Sequence, residues 1–222
     1  MLQWLPEDVS TFGPEIDSLF YLIYYITAAT FVLVTVLMIV FLVMYRQRND
    51  GRRATYSHGN TTLEITWTII PAAILIVLSF MSVSTWAKVK RHPPESDFEI
   101  QVSAKQFNWD VAYPGPDGKL ATDDDVKFDN DIHVPVNKIV RIQLKSTDVI
   151  HSFFLPNLRL KQDAVPGRNI LVWFEATKPG KYELPCAELC GFGHSGMKGW
   201  LYVHSAEEYA KWAAENLAAK PQ

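Results

Sequence analysis

The stretch Cys186-Ala187-Glu188-Leu189-Cys190-Gly191-Phe192-Gly193-His194-Ser195-Gly196-Met197 decides how the rest of the chain is read. Both cysteines of the protein lie in it, four residues apart, with a histidine four residues after the second and a methionine three after that. Thiolate, imidazole and thioether make a soft ligand set, which favours copper over magnesium, calcium or manganese. A lone blue-copper site needs one cysteine. Two thiolates this close can instead bridge two copper ions and share one electron between them. Two plainer readings stand beside this one. Two cysteines outside the cytosol commonly form a disulfide, and structural zinc also takes thiolate and imidazole. A disulfide needs neither the histidine nor the methionine, and methionine is a poor zinc ligand.

A second histidine is expected to complete the site, and the chain has six. His58 sits in a polar loop, His92 precedes Pro93-Pro94, His133 opens a strand-like run and His204 ends one. His151 lies in Asp148-Val149-Ile150-His151-Ser152-Phe153-Phe154-Leu155-Pro156, a polar position in an apolar stretch. Copper sites of the cupredoxin type take one histidine from an early strand and the rest from a late loop, which selects His151. The plain alternative for a histidine in such a run is a satisfied core residue.

Upstream, no charged residue occurs between Asp17 and Arg46, and a second uncharged stretch covers 65–87. Each can hold the roughly 20 residues a bilayer-spanning helix needs. The connector carries Arg46, Arg48, Arg52 and Arg53 against Asp50 alone. Positive charge marks the cytoplasmic side, so the expectation is a hairpin with both chain ends outside. Met1-Leu2-Gln3-Trp4 lacks a basic run followed by an early apolar one, so no cleavable signal peptide is expected and the first helix would direct insertion. Lys88, Lys90, Arg91 and the two prolines mark the end of the second helix.

From Glu95 on, 18 acidic residues face 14 basic ones, a balance that argues against nucleic acid. Phe98, Ile100, Val102 and Ala104 alternate with polar residues, as do Val140, Ile142 and Leu144, and Ile170, Val172 and Phe174. This period of two, punctuated by Pro114-Gly115, Pro166-Gly167 and Pro179-Gly180, predicts short strands in a sandwich or small barrel. Ser205, with Glu208 three residues on, predicts the cap of a final helix. The expected organisation is an N-terminal extracytoplasmic segment (1–15), a first spanning helix (16–45), a cytoplasmic loop (46–62) and a second spanning helix (63–88). A linker (89–96), an all-β cupredoxin-like domain (97–204) and a C-terminal helix and tail (205–222) follow.

With these motifs together, the chain resembles subunit II of a haem–copper cytochrome c oxidase, the subunit with the binuclear copper A centre. The likeness also rests on Lys161-Gln162-Asp163-Ala164-Val165-Pro166-Gly167-Arg168 and on Glu64-Ile65-Thr66-Trp67-Thr68-Ile69-Ile70-Pro71. It implies a fold of two transmembrane helices followed by a cupredoxin-like domain. It implies that Cys186 and Cys190 bridge two coppers, that His151 and His194 each bind one, and that Met197 and the Glu188 carbonyl are weak ligands. The Glu188 side chain would then face a magnesium ion shared with subunit I, for which a carboxylate is suited. Glu64 would lie at the mouth of a proton pathway into subunit I; its plain reading is an acid favoured by the helix dipole.

Family members carry two tryptophans before the acidic loop, the first receiving the electron from cytochrome c. Here the segment reads Gln106-Phe107-Asn108-Trp109, so Phe107 or Trp109 would take that role, unless both are core rings. Asp123, Asp124 and Asp125, with Asp129 and Asp131 nearby, form an acidic patch that can steer a basic cytochrome c, or simply a solvated or calcium-binding loop. The resemblance further implies a respiratory electron-transport complex in a bacterial plasma membrane rather than a mitochondrial inner membrane, with the copper domain in the periplasm. Its partners would be subunit I, the other oxidase subunits, a cytochrome c or equivalent periplasmic donor, and the lipid bilayer. Oxygen reduction and proton translocation would occur in subunit I. No Cys-x-x-Cys-His is present, so no bound haem is expected on this chain. A quinol oxidase subunit lacks the copper ligands, a copper store needs no hairpin, and the copper A subunit of a nitric oxide reductase stays as the alternative.

Overall fold

The structure, a computed structural model, describes residues 4–49, 51, 53, 55–91, 93–96 and 98–217. Asp50, Arg52, His92 and the tail at 218–222, which enter the sequence reading, lie outside the described residues. The chain divides into two compact units, one of residues 15–87 and one of residues 1–14 with 88–222.

The first unit is two helices, α1 (Gly13–Met44) and α2 (Thr61–Trp86). At about 1.5 Å per residue they are about 48 Å and 39 Å long, beyond the roughly 30 Å of a bilayer's hydrocarbon core. Their side chains are apolar and largely exposed, as lipid-facing residues are. The Asn60 side chain caps α2 by accepting from the Leu63 N–H. Pro71 lies inside α2 without ending it, and Glu64 stands exposed in its first turn. Thr85 donates to Glu15 at 3.0 Å, so the end of α2 meets the start of α1, as an antiparallel hairpin requires.

The second unit is a β-sandwich. A five-stranded sheet runs in the order β3 (Val126–Asp129), β2 (Asn108–Tyr113), β1 (Glu99–Lys105), β5 (Ile139–Ser146), β8 (Ile170–Glu175). A three-stranded sheet runs β4 (Asp131–Pro135), β10 (Lys198–His204), β9 (Gly180–Pro185), and β6 (His151–Leu155) pairs with β7 (Leu160–Ala164). The alternation read from sequence is the burial pattern of the core. Ile100, Val102 and Ala104 of β1 and Val140, Ile142 and Leu144 of β5 are fully buried. Parallel pairing sets Ile100 opposite Ile142 and Val102 opposite Leu144. Each of the Val, Ile and Leu side chains among them contributes roughly 1.5–3 kcal/mol by leaving water. α3 (Ala206–Asn216) carries the expected capping box between Ser205 and Glu208.

One feature departs from a free N-terminal segment. Val9, Ser10 and Phe12 are buried in the β unit. The Val9 N–H donates to the Asn157 carbonyl (2.9 Å), Thr177 donates back to Val9 (2.8 Å), and Ser10 bridges Ala176 as a short added strand. The Phe12 ring meets Trp173 edge to face at 5.4 Å, while the Trp173 indole donates to the Val89 carbonyl at 2.7 Å.

Candidate metal centre

β9 and β10 are antiparallel neighbours, with Pro185 opposite Lys198. Residues 186–197 are therefore the loop of one long hairpin, closed where the Cys186 N–H donates to the Met197 carbonyl at 3.0 Å. A short helical turn over His194–Gly196 folds the far side of the loop back. From the other side the start of β6 approaches: Phe153 bridges Cys186, and Ala187 donates to the buried Ser152 carbonyl at 3.0 Å. This places His151, fully buried, against the loop.

The two thiols are free and their sulfurs lie 4.0 Å apart, about twice a disulfide bond. Cys186 Sγ is 4.0 Å from His151 Nδ1 and 3.3 Å from the Glu188 carbonyl. Cys190 Sγ is 3.6 Å from His194 Nδ1 and 3.8 Å from Met197 Sδ. Ligand atoms of His151, Cys186 and Cys190 all lie within 4.8 Å of one another. His194 falls outside that compact trio yet stays beside Cys190. With metal–thiolate bonds of about 2.3 Å, sulfurs at this separation can both reach an ion between them. The donor set thus fits soft metal ions such as copper. Burial, reinforced by the neighbouring Cys186, pushes the Cys190 thiol up to about 11, so the metal-free loop keeps that thiol protonated at neutral pH.

Two residues not singled out as site residues by the sequence hold this arrangement. Asp148 Oδ1 is 2.8 Å from His151 Nε2. Desolvation raises the Asp148 carboxyl, but hydrogen bonds from the His151 ring and from the N–H groups of Gln106 and Val149 outweigh it and leave it below the usual carboxylate range. An ionised carboxylate only accepts, so Nε2 is the ring nitrogen that donates to Asp148, and Nδ1 is the one turned toward the sulfurs. Gln106 donates its backbone N–H to Asp148 (2.6 Å) and its side-chain amide to the Cys190 carbonyl (2.6 Å), tying the histidine side of the site to the cysteine loop.

The remaining predicted residues are placed as follows. Phe107 is part-exposed, and its ring lies against the loop backbone: a Cβ on Gly193 would stand 2.5 Å from it, and one on Gly191 3.3 Å. Trp109 is fully buried, edge to face with His151 at 6.2 Å and with Phe153 at 5.6 Å. It is a core ring behind the site and cannot meet a donor directly. The Glu188 side chain is exposed while its carbonyl faces Cys186. Asp123, Asp124 and Asp125 lie in the turn joining β2 to β3, whereas Phe107 precedes the other end of β2. Five strand steps, about 17 Å, separate those ends. Asp124 and Asp125 are engaged by Thr122 and by the N–H groups of Asp117 and Ala121. Asp129 and Asp131 belong to β3 and β4, not to the turn. The residues flanking Phe107 engage other acids: Gln106 donates to Asp148, Asn108 to Asp129, and Lys105 pairs with Asp110 at 2.8 Å. Glu64 belongs to the helical unit.

Residues 100–202 match the family described as cytochrome c oxidase subunit II, periplasmic domain, and residues 3–85 its transmembrane domain. The chain belongs to the cytochrome c oxidase subunit II family. Cytochrome c oxidase subunit 2 of Thermostichus vulcanus is 31% identical, over 96% of this chain and 79% of that protein. The subunit 2 of Cereibacter sphaeroides is 32% identical, over 84% of this chain and 71% of its own. The crystal structure of the periplasmic domain of subunit II of cytochrome oxidase from Bradyrhizobium japonicum superposes with a TM-score of 0.50 at 36% identity, covering 56% of this chain and 96% of that one. The two apolar helices and the sandwich described above are the two parts of this subunit II fold.

Proposed function

We propose that this subunit II accepts electrons from a cytochrome c, or an equivalent small donor, at a binuclear copper centre outside the cytoplasm. It passes them to haem in subunit I, where oxygen is reduced and protons are moved. The observation that carries the reading is the convergence of two free buried thiols, two imidazoles and a thioether on one hairpin loop. Cys186 and Cys190 would bridge the ions, His151 and His194 would each hold one, and Met197 and the Glu188 carbonyl would be the weak ligands. When bound, the copper pair supplies a one-electron store whose charge is shared over two metals. The burial of His151, Cys186, Cys190 and Met197 keeps water from these donors, and the Asp148–His151 hydrogen bond fixes one imidazole, so little needs to rearrange around the centre.

The exposed carboxylate of Glu188 would serve the magnesium shared with subunit I, and Glu64 the mouth of the proton pathway. Acids on the unit would attract a basic donor over a range limited by screening, to about 10 Å at 0.1 M salt. The single connector between two spans, rich in arginine, supports a cytoplasmic connector and a periplasmic copper domain. Metal analysis and electron paramagnetic resonance on the purified chain test the centre. Two coppers per chain and a seven-line spectrum are expected; a copper-free or single-copper protein would overturn the reading.

A further inference from the structure

The two halves of the metal loop are held in different ways. Cys186 stands where the loop leaves the sheet: its N–H meets the Met197 carbonyl, Phe153 bridges it, and Ala187 bonds to Ser152. His151, 4.0 Å from the Cys186 sulfur, is itself part of β6. Strands therefore carry this half. Cys190, 3.6 Å from His194 and 3.8 Å from Met197, lies on the far side of the loop. The backbone bonds there are local, from His194 to Gly191, Gly196 to Gly193 and Met197 to His194. Among the described residues, a single hydrogen bond reaches 188–196 from outside the loop. It is the 2.6 Å bond from the Gln106 side-chain amide to the Cys190 carbonyl.

Gly191 makes room for that bond. Its φ of +137° is open to glycine, and a Cβ there would stand 2.7 Å from Gln106 Nε2. The backbone N–H of the same Gln106 holds Asp148 at 2.6 Å, and Asp148 holds His151 at 2.8 Å. One residue, in the turn between β1 and β2, thus sets the Cys190 carbonyl directly and the His151 ring through Asp148. These belong to two segments far apart in sequence.

We propose that Gln106 is a positioning residue that keeps the two metal positions equivalent, a proposal that rests on the copper reading above. An electron is shared evenly over two ions when both see matched surroundings, and a difference in ligand geometry traps it on one of them. The Cys186 half is fixed by its strands, so equivalence depends on where the Cys190 half sits. The amide of Gln106 sets that place. Gln106 supplies no ligand atom; it acts by orienting the residue that does.

The test uses the purified full chain loaded with copper, carrying Gln106→Leu or Gln106→Ala. Gln106 is exposed, and both variants keep the backbone N–H that holds Asp148, so the fold should tolerate them. Leu fills the space of the amide without donating, whereas Ala leaves it empty. Both variants should retain two coppers per chain. In both, the electron paramagnetic resonance pattern should move from the seven lines of a shared electron toward the four of an electron kept on one copper. Release of copper to a chelator should quicken about fivefold, the scale of one hydrogen bond. A parental spectrum in both variants overturns the proposal. So does a parental spectrum in the Leu variant alone, which would assign Gln106 to packing, or loss of all copper, which would make it necessary for binding rather than for sharing. Each of these outcomes leaves the copper centre standing. A parental chain without the two-copper spectrum would overturn the centre itself.

Discussion

Asp148 illustrates what a ligand list leaves out. It touches no sulfur, yet its hydrogen bond decides which nitrogen of His151 faces the cysteines. Replacing Asp148 with Ala should lower copper affinity 10–100-fold, the usual effect of losing such a partner, measured by competition with a chelator. Unchanged retention would show that packing alone orients the ring. The residues proposed as ligands stand out in the sequence because their chemistry is rare and their spacing tight: two cysteines, His194 and Met197 share twelve residues. Asp148 sat three residues before His151 in plain view, but an acid at that spacing has many uses. Gln106 was less visible still, since its two bonds join segments brought together only by the fold. Trp109 shows the converse. Its type marked it as a relay ring, and its burial makes it core.

At the scale of elements, α3 is held by an aromatic clasp. The His133 ring is stacked on Tyr202 of β10 (4.5 Å, 4°) and on Trp212 of α3 (4.3 Å, 11°), and shares a hydrogen bond with His204 (Nδ1 to Nε2, 2.9 Å). Burial first, then the charge of His204, lowers His133 to about 4; burial also lowers His204, against the opposing pull of Glu208. Tyr113, Tyr202, Tyr209, Asp131 and Lys181 also stand around the clasp. The folded state therefore binds fewer protons than the unfolded one, in which histidine titrates near 6.5. Its stabilising effect is complete above about 6.5 and declines as pH falls toward about 4. Protection of the α3 amides from hydrogen exchange should fall over that window, and His133→Phe should weaken the dependence; a flat profile would remove the pair from the latch. Strands β1, β5 and β8 were legible, because their apolar residues face the core at a period of two; β3, with no buried residue, and β6, buried on both faces, lack that signal. The position of the acidic turn was not legible, because it depends on which end of β2 carries the metal loop. The N-terminal strand was missed for a related reason: 6–12 mixes polar and apolar residues without a period.

For the whole molecule, the structure adds an argument about topology that charge patterning did not provide. Residues before α1 and after α2 belong to one compact unit, so an even number of crossings must separate them. Cysteines introduced at Lys178 and Arg48 should be labelled by a membrane-impermeant reagent from opposite sides in oriented vesicles. Labelling of both from one side would refute the hairpin. The same stitching has a consequence for how the protein is made. The Asn157 side chain donates to the Glu7 carbonyl across 150 positions of sequence, and Lys178 reaches Glu7 across 171. Residues 7–12 therefore have no seat until residues made much later have paired into strands. Contacts of such separation form slowly. That segment must wait unattached while the rest of the polypeptide catches up.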